Sequence, residues 1–118
     1  MLDKYKLGID IIDKQHEQIF KIINKLMDKN CDMSEIIKEL KDYSIYHFDT
    51  EEKYFESINF KNAENHVNLH NIFIQTINYY SENSDKLNKK KIYSFLQSWI
   101  KNHILIEDKK YTLKENLD

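Results

Sequence analysis

Apolar residues recur along this chain at intervals of three and four, the spacing of a helix with one buried face. The spacing predicts a first helix over 12–29 with Ile12, His16, Ile19, Ile23 and Leu26 on one stripe. A second, over 33–58, carries Ile36, Leu40, Tyr43, His47, Glu51, Tyr54 and Phe55 inward. The third, over 62–82, presents Ala63, His66, His70, Phe73, Ile77 and Tyr80. The fourth, over 88–108, presents Ile92, Phe95, Trp99, His103 and Ile106. Between them lie the breaks "NCDMS", "NFKN" and "SENSDKLN". Asp32 with Glu35 three residues later has the form of a capping box opening the second helix. Residues 1–11 read as an arm laid over the bundle and bent at Gly8, and "KKYTLKENL" as a last short turn of helix packed across one end.

Composition sharpens this into an all-α fold. One glycine and no proline leave little turn chemistry for β architecture, whereas helices exclude both residues from their interiors. Short connections favour antiparallel neighbours, so the expected architecture is an up-down-up-down four-helix bundle forming one domain, 1–118. A formal net charge of −2 gives no global attraction to nucleic acid or an anionic membrane. The lysine run at 89–91 reads as the solvated first turn of the fourth helix. No apolar run has the roughly 20 residues needed to span a bilayer, and no secretory leader is evident. Cys31, the only cysteine, permits no internal disulfide, so the expected setting is the reducing cytoplasm.

The stripes contain a chemical anomaly. All five histidines, His16, His47, His66, His70 and His103, fall on inward faces, and each of the four helices contributes. A single core histidine is ordinarily satisfied by a hydroxyl or carbonyl; five of five are hard to explain one at a time. Glu51 stands one turn beyond His47, and His66 and His70 repeat that spacing, which lets two imidazoles hold one metal. Imidazole with some carboxylate inside a bundle suits iron, zinc, copper or nickel better than magnesium or calcium. The stripes indicate a buried transition-metal site and do not name the metal.

The order and spacing of the elements do more. Asp13 to His16, His47 to Glu51, His66 to His70 and His103 to Asp108, with Trp99 four residues before His103, resemble the hemerythrin family over nearly the whole chain. The resemblance implies a non-haem di-iron centre that binds dioxygen reversibly. It implies His66, His70 and His103 on one iron, His16 and His47 on the other, and Glu51 and Asp108 bridging both beside an oxo or hydroxo group. Five imidazoles, two bridging carboxylates and one bridging oxygen leave a pair of octahedral irons one donor short, and the open position falls on the iron with two histidines. Ile19, Phe48, Trp99 and Ile106, at helical offsets from the ligands, are expected to wall that position as well as to pack the core.

One conflict arises at the end of the fourth helix. Four residues on a regular helix turn through only about 40° net and five through about 140°, so geometry selects Glu107 as the partner of His103. The family pattern selects Asp108, which requires fraying or a π-type bulge near the helix end. Two departures from the family are in loops. The N-terminal tryptophan of many relatives is missing, with Tyr5 or Leu2 covering that ground, and Asn59-Phe60-Lys61 stands where Gly-Tyr-Pro is common, Asn59 tolerating a left-handed backbone.

A ferritin-like di-iron oxidase would carry Glu-x-x-His elements, and none occurs here. Its four carboxylates favour higher-valent iron and oxygen cleavage, whereas a histidine-rich shell leaves oxygen free to depart. Structural zinc sites are closed, four-coordinate and commonly rich in cysteine, unlike seven candidate ligands and one thiol. Oxygen or nitric oxide sensing and reaction with peroxide are compatible with the same centre. The expectation is an oxygen storage, transport or delivery protein and not an enzyme, with dioxygen as ligand and no protein partner identified. The eight tyrosines read as core and boundary packing.

Overall fold

The computed structural model describes residues 1–117, and four helices organise them. They are α1 (Asp10–Asn24), α2 (Met33–Ile58), α3 (Ala63–Glu82) and α4 (Lys89–Asn102). The second helix begins and ends at the expected residues, because both ends are chemically marked. Asp32 caps it by accepting from the Glu35 backbone N–H at 3.3 Å. Asn59 stops it in the left-handed conformation (φ 54°, ψ 53°), where its N–H reaches back to the carbonyls of Phe55 and Glu56. Asn88 caps α4 from the Lys91 N–H at 3.2 Å, so Lys89, Lys90 and Lys91 form its first turn.

Cross-helix contacts fix the topology. Gln15 meets Thr50 while Lys25 meets Glu39, so α1 and α2 run antiparallel. Phe55 against His66 with Phe48 against Phe73 gives the same sense to α2 and α3. Phe73 on Trp99 with Tyr80 on Phe95 does so for α3 and α4. The result is the up-down-up-down bundle. Among the described residues no strand forms; a single antiparallel bridge joins Phe60 to Leu117 and ties the C-terminal segment to the α2–α3 turn. No helix among them is long and apolar enough to cross a membrane.

The arm bends at Gly8, whose φ of 88° only glycine adopts without strain. Asp13 holds that bend, accepting from the backbone N–H groups of Leu7 and Gly8 at 2.8 and 3.0 Å. Tyr5 is buried and packs on Phe20, whereas Leu2 is exposed, so Tyr5 alone covers the ground considered for both.

Two apolar layers result, with a polar layer between them. The larger contains Ile19, Ile22, Ile23, Leu26, Ile37, Leu40, Phe48, Phe73, Ile77, Leu96, Ile100 and Ile104. The smaller, at the arm end, contains Ile12, Phe55, Phe60 and Tyr111. The histidines of α1 and α3 fall where the chain passes from one layer to the other, as do Glu51 on α2 and Asp108 beyond α4.

The expected stripe of α4 is corrected by the structure. Ile106 is 58 % exposed and Phe95 and Trp99 are half-buried, while Leu96, Ile100 and Ile104 occupy the core. Adjacent apolar pairs at 95–96 and 99–100 leave the stripe ambiguous by one residue, about 100° of rotation. Packing resolves it by placing the aliphatic member of each pair inward and the aromatic member at the boundary against α3. Ile104→Ala is therefore expected to cost the metal-free protein about 2–5 kcal/mol, and Ile106→Ala under about 0.5 kcal/mol, read by urea unfolding.

Candidate metal centre

All seven sequence-predicted ligands meet in the polar layer, each no more than 4 % exposed. α1 supplies His16, α2 supplies His47 and Glu51 one turn apart, and α3 supplies His66 and His70 with the same spacing. The fourth contribution depends on a local irregularity. At His103 the chain leaves the α conformation for a π turn, His103–Glu107, and the Asp108 N–H donates to the carbonyls of His103 and Ile104. Closure over five residues brings position i+5 back beneath position i, so His103 and Asp108 both point inward. Glu107 turns outward and pairs with Lys110 at 3.1 Å.

The donor atoms form two groups. Asp108 Oδ1 lies 2.9 Å from His66 Nε2 and 3.1 Å from His103 Nε2. Its other oxygen, Oδ2, lies 3.0 Å from His16 Nε2. Glu51 Oε1 lies between His47 Nε2 at 3.1 Å and His70 Nε2 at 3.3 Å. Each carboxylate thus spans a three-histidine side, His66, His70 and His103, and a two-histidine side, His16 and His47.

These separations are short, yet six of the atoms lack any partner in hydrogen-bond geometry: Nε2 of His16, His47 and His70, Glu51 Oε1, and both oxygens of Asp108. Lone pairs aimed at a common centre, and not at each other, produce this pattern. Two donors at right angles on one first-row metal, each about 2.1 Å from it, stand about 3.0 Å apart, which matches the observed contacts. The donor set therefore fits metal. Glu51, His66, His70 and His103 converge as one ligand cluster, and His16, His47 and Glu51 as a second.

Electrostatics favours the ionisation states that a metal requires. Burial opposes ionisation of Glu51 and Asp108, and for Glu51 the charge of Asp108 does so too, but the surrounding histidines outweigh these effects and hold both carboxyls well below the usual range. Burial lowers His47 despite Glu51, leaving a neutral imidazole. For His103 burial also opposes the charge, but Asp108 and Glu51 prevail and raise it, which favours the protonated ring in the metal-free protein.

Three supporting residues escaped the sequence reading. His47 Nδ1 donates to Gln15 Oε1 at 2.7 Å, and Gln15 is oriented in turn by its own Nε2–H on Thr50. His70 Nδ1 donates to Glu52 Oε2 at 2.9 Å. Both contacts put the proton on Nδ1 and free Nε2 for a metal. The Tyr111 hydroxyl donates to Glu51 Oε2 at 2.6 Å, and burial, with the charges of Asp108 and Glu51, keeps that hydroxyl protonated far beyond its ordinary range. Gln15 precedes a ligand and Glu52 follows one, so adjacency was the available signal; Tyr111 was hidden by being one of eight tyrosines.

The expected pocket walls divide. Ile19 and Phe48 are buried beside the cluster, Phe48 stacking on His70 at 3.8 Å. Trp99 is half-buried and stacks on His103 at 4.4 Å, on the three-histidine side. Ile106 lies at an open surface cleft of about 210 Å³ that Leu69, Trp99, His103 and Glu107 also line, so it stands outside the ring of His103 and does not wall an enclosed site; the same π turn that brings in Asp108 faces it outward. Ile104, fully buried next to His103, is the isoleucine that the turn carries into the core.

An all-α bundle with a buried imidazole and carboxylate layer defines a helical metal-site protein. The hemerythrin HHE cation binding domain matches residues 7–112. A bacteriohemerythrin of Clostridium acetobutylicum is 34 % identical over 92 % of this chain and 95 % of its own length. A hemerythrin-like protein of Naegleria gruberi is 32 % identical over 89 % and 83 % respectively, and a bacteriohemerythrin of Pseudomonas aeruginosa 31 % identical over 92 % and 76 %. The chain belongs to the hemerythrin family.

Two outcomes test the site before any ligand is considered. Tyr111→Phe leaves a buried carboxylate oxygen without its donor and should destabilise the metal-free protein by about 1–3 kcal/mol in urea unfolding. Because Asp108 and Glu51 raise His103, a metal must compete with a proton there, so apparent affinity should fall as pH is lowered from about 8 to 6. Zinc titrations by calorimetry in buffers of different ionisation enthalpy would read both the affinity and the released protons.

Proposed function

We propose that this chain holds two iron ions and binds dioxygen reversibly, for oxygen storage, transport or delivery, and acts as a carrier and not as an enzyme. The carrying observation is the division of donors, three imidazoles on one side and two on the other with Glu51 and Asp108 reaching both. His66, His70 and His103 would hold one ion, and His16 and His47 the other. The two-histidine side offers one nitrogen fewer, and a small ligand would find its place there. Bound in this way, ferrous iron supplies the electrons that reversible oxygen binding requires.

The protein's contribution is placement and exclusion of water. Gln15 and Glu52 fix two imidazole rings, and Tyr111 fixes one carboxylate. Ile19, Phe48 and Ile104 surround the layer with hydrocarbon, which disfavours proton delivery and loss of charged oxygen species. Membership of the hemerythrin family supports an oxygen-binding metal centre, and the lone cysteine fits a reducing cytoplasmic setting.

Iron-loaded protein should contain two irons per chain by metal analysis, and its visible colour should appear with oxygen and fade when oxygen is removed. Immediate irreversible oxidation would sink the carrier reading in favour of oxidase or peroxide chemistry. Ile19→Ala should speed irreversible oxidation of the oxygenated form several-fold, whereas Ile106→Ala, at the surface, should leave it unchanged.

A further inference from the structure

Ser44 is fully buried on α2, and its hydroxyl has no hydrogen-bond partner. Exposed helix serines such as Ser94 and Ser98 can turn to water, an option closed to Ser44. Thr50, Ser57 and Thr76 all donate to a carbonyl three or four residues back, at 3.1, 2.7 and 2.9 Å. Tyrosines aside, the buried polar side chains among the described residues are the seven of the metal centre, Gln15, which bonds to it, and Ser44. Ser44 is thus the one buried polar group outside the network, and an unmade hydrogen bond there costs stability that alanine would not.

Its position suggests why it is retained. Ser44 lies one helical turn before His47 and Phe48, on the same face. The antiparallel register set by His16 against His47 and Lys25 against Glu39 brings Ile19 across from it. Ser44 therefore borders the two-histidine side, where the cluster has fewer protein donors, and its neighbours in the larger apolar layer are Ile19, Leu40 and Phe48.

We propose that the Ser44 hydroxyl is the hydrogen-bond donor to a small electron-rich ligand, dioxygen or a linear anion of similar size, held on the two-histidine side. This rests on the oxygen-binding reading above and adds to it a specificity residue. Among hydrocarbon neighbours, one hydroxyl would favour ligands that gain negative charge over neutral, weakly accepting ones.

The test uses iron-loaded wild type, Ser44→Ala and Ser44→Thr, titrating azide into the diferric form by visible absorption and measuring oxygen release from the oxygenated form. Ser44→Ala should bind azide about tenfold more weakly and release oxygen correspondingly faster, while Ser44→Thr keeps the wild-type affinity. Equal azide affinity in wild type and Ser44→Ala, or a threonine variant as weak as alanine, would overturn the proposal. Metal-free thermal unfolding gives an independent readout. Ser44→Ala should melt at or above the wild-type temperature, and a fall of several degrees would show that the hydroxyl has a structural partner instead. Iron-loaded wild type that binds neither oxygen nor azide would refute the oxygen-binding reading itself, separately from any role of Ser44.

Discussion

Two ionised carboxylates buried among five imidazoles form the constraint on which the rest of this structure depends. Removing Glu51 and Asp108 from water is costly, and it is the surrounding imidazoles, through hydrogen bonds and charge, that outweigh this cost and keep both carboxyls ionised. A layer of this composition calls for cations. The two apolar layers on either side make it rigid and dry, so the bundle acts as a scaffold whose hydrophobic energy maintains an otherwise unfavourable polar interior.

Orientation is distributed over the whole chain. The ring of His47 is set from α1, the ring of His70 from α2, and the Glu51 carboxylate from the C-terminal segment through Tyr111. That segment is itself anchored at the α2–α3 turn, where the Lys61 N–H donates to the Asn116 carbonyl at 2.8 Å. Residues that look peripheral in sequence therefore hold the central carboxylate. The N-terminal arm contributes in a similar way, since Asp13, one turn before His16, is engaged by the bend at Gly8 and does not enter the metal layer.

The asymmetry of the donor set links this architecture to function. An evenly divided site would cover two ions equally, whereas under the proposed di-iron reading three imidazoles against two would direct ligand binding to one side. The hydrocarbon around that side and the single hydroxyl beside it differ from the proton-rich, carboxylate-rich surroundings suited to oxygen cleavage. Family membership and donor chemistry agree on metal and dioxygen.

Much of this was legible in the chain itself. Inward-facing histidines at 16, 47, 66, 70 and 103 follow from helical period alone, because a side chain's face is a local property of the backbone, and Asp32 and Asn59 mark the ends of α2 through their own side chains and dihedral preferences. Resemblance, and not spacing, pointed to Asp108 over Glu107. The physical means was the π turn, whose position depends on packing α4 against the other three helices and could not be read from local preference. The same packing faced Ile106 outward and drew Ile104 in. Gln15, Glu52, Tyr111 and the unpartnered Ser44 became visible only in three dimensions, since each matters through contacts, or the lack of one, across the bundle. Periodicity determined which face each residue takes; only the packed tertiary structure decided which faces meet, because contact between distant segments is not encoded in any one of them.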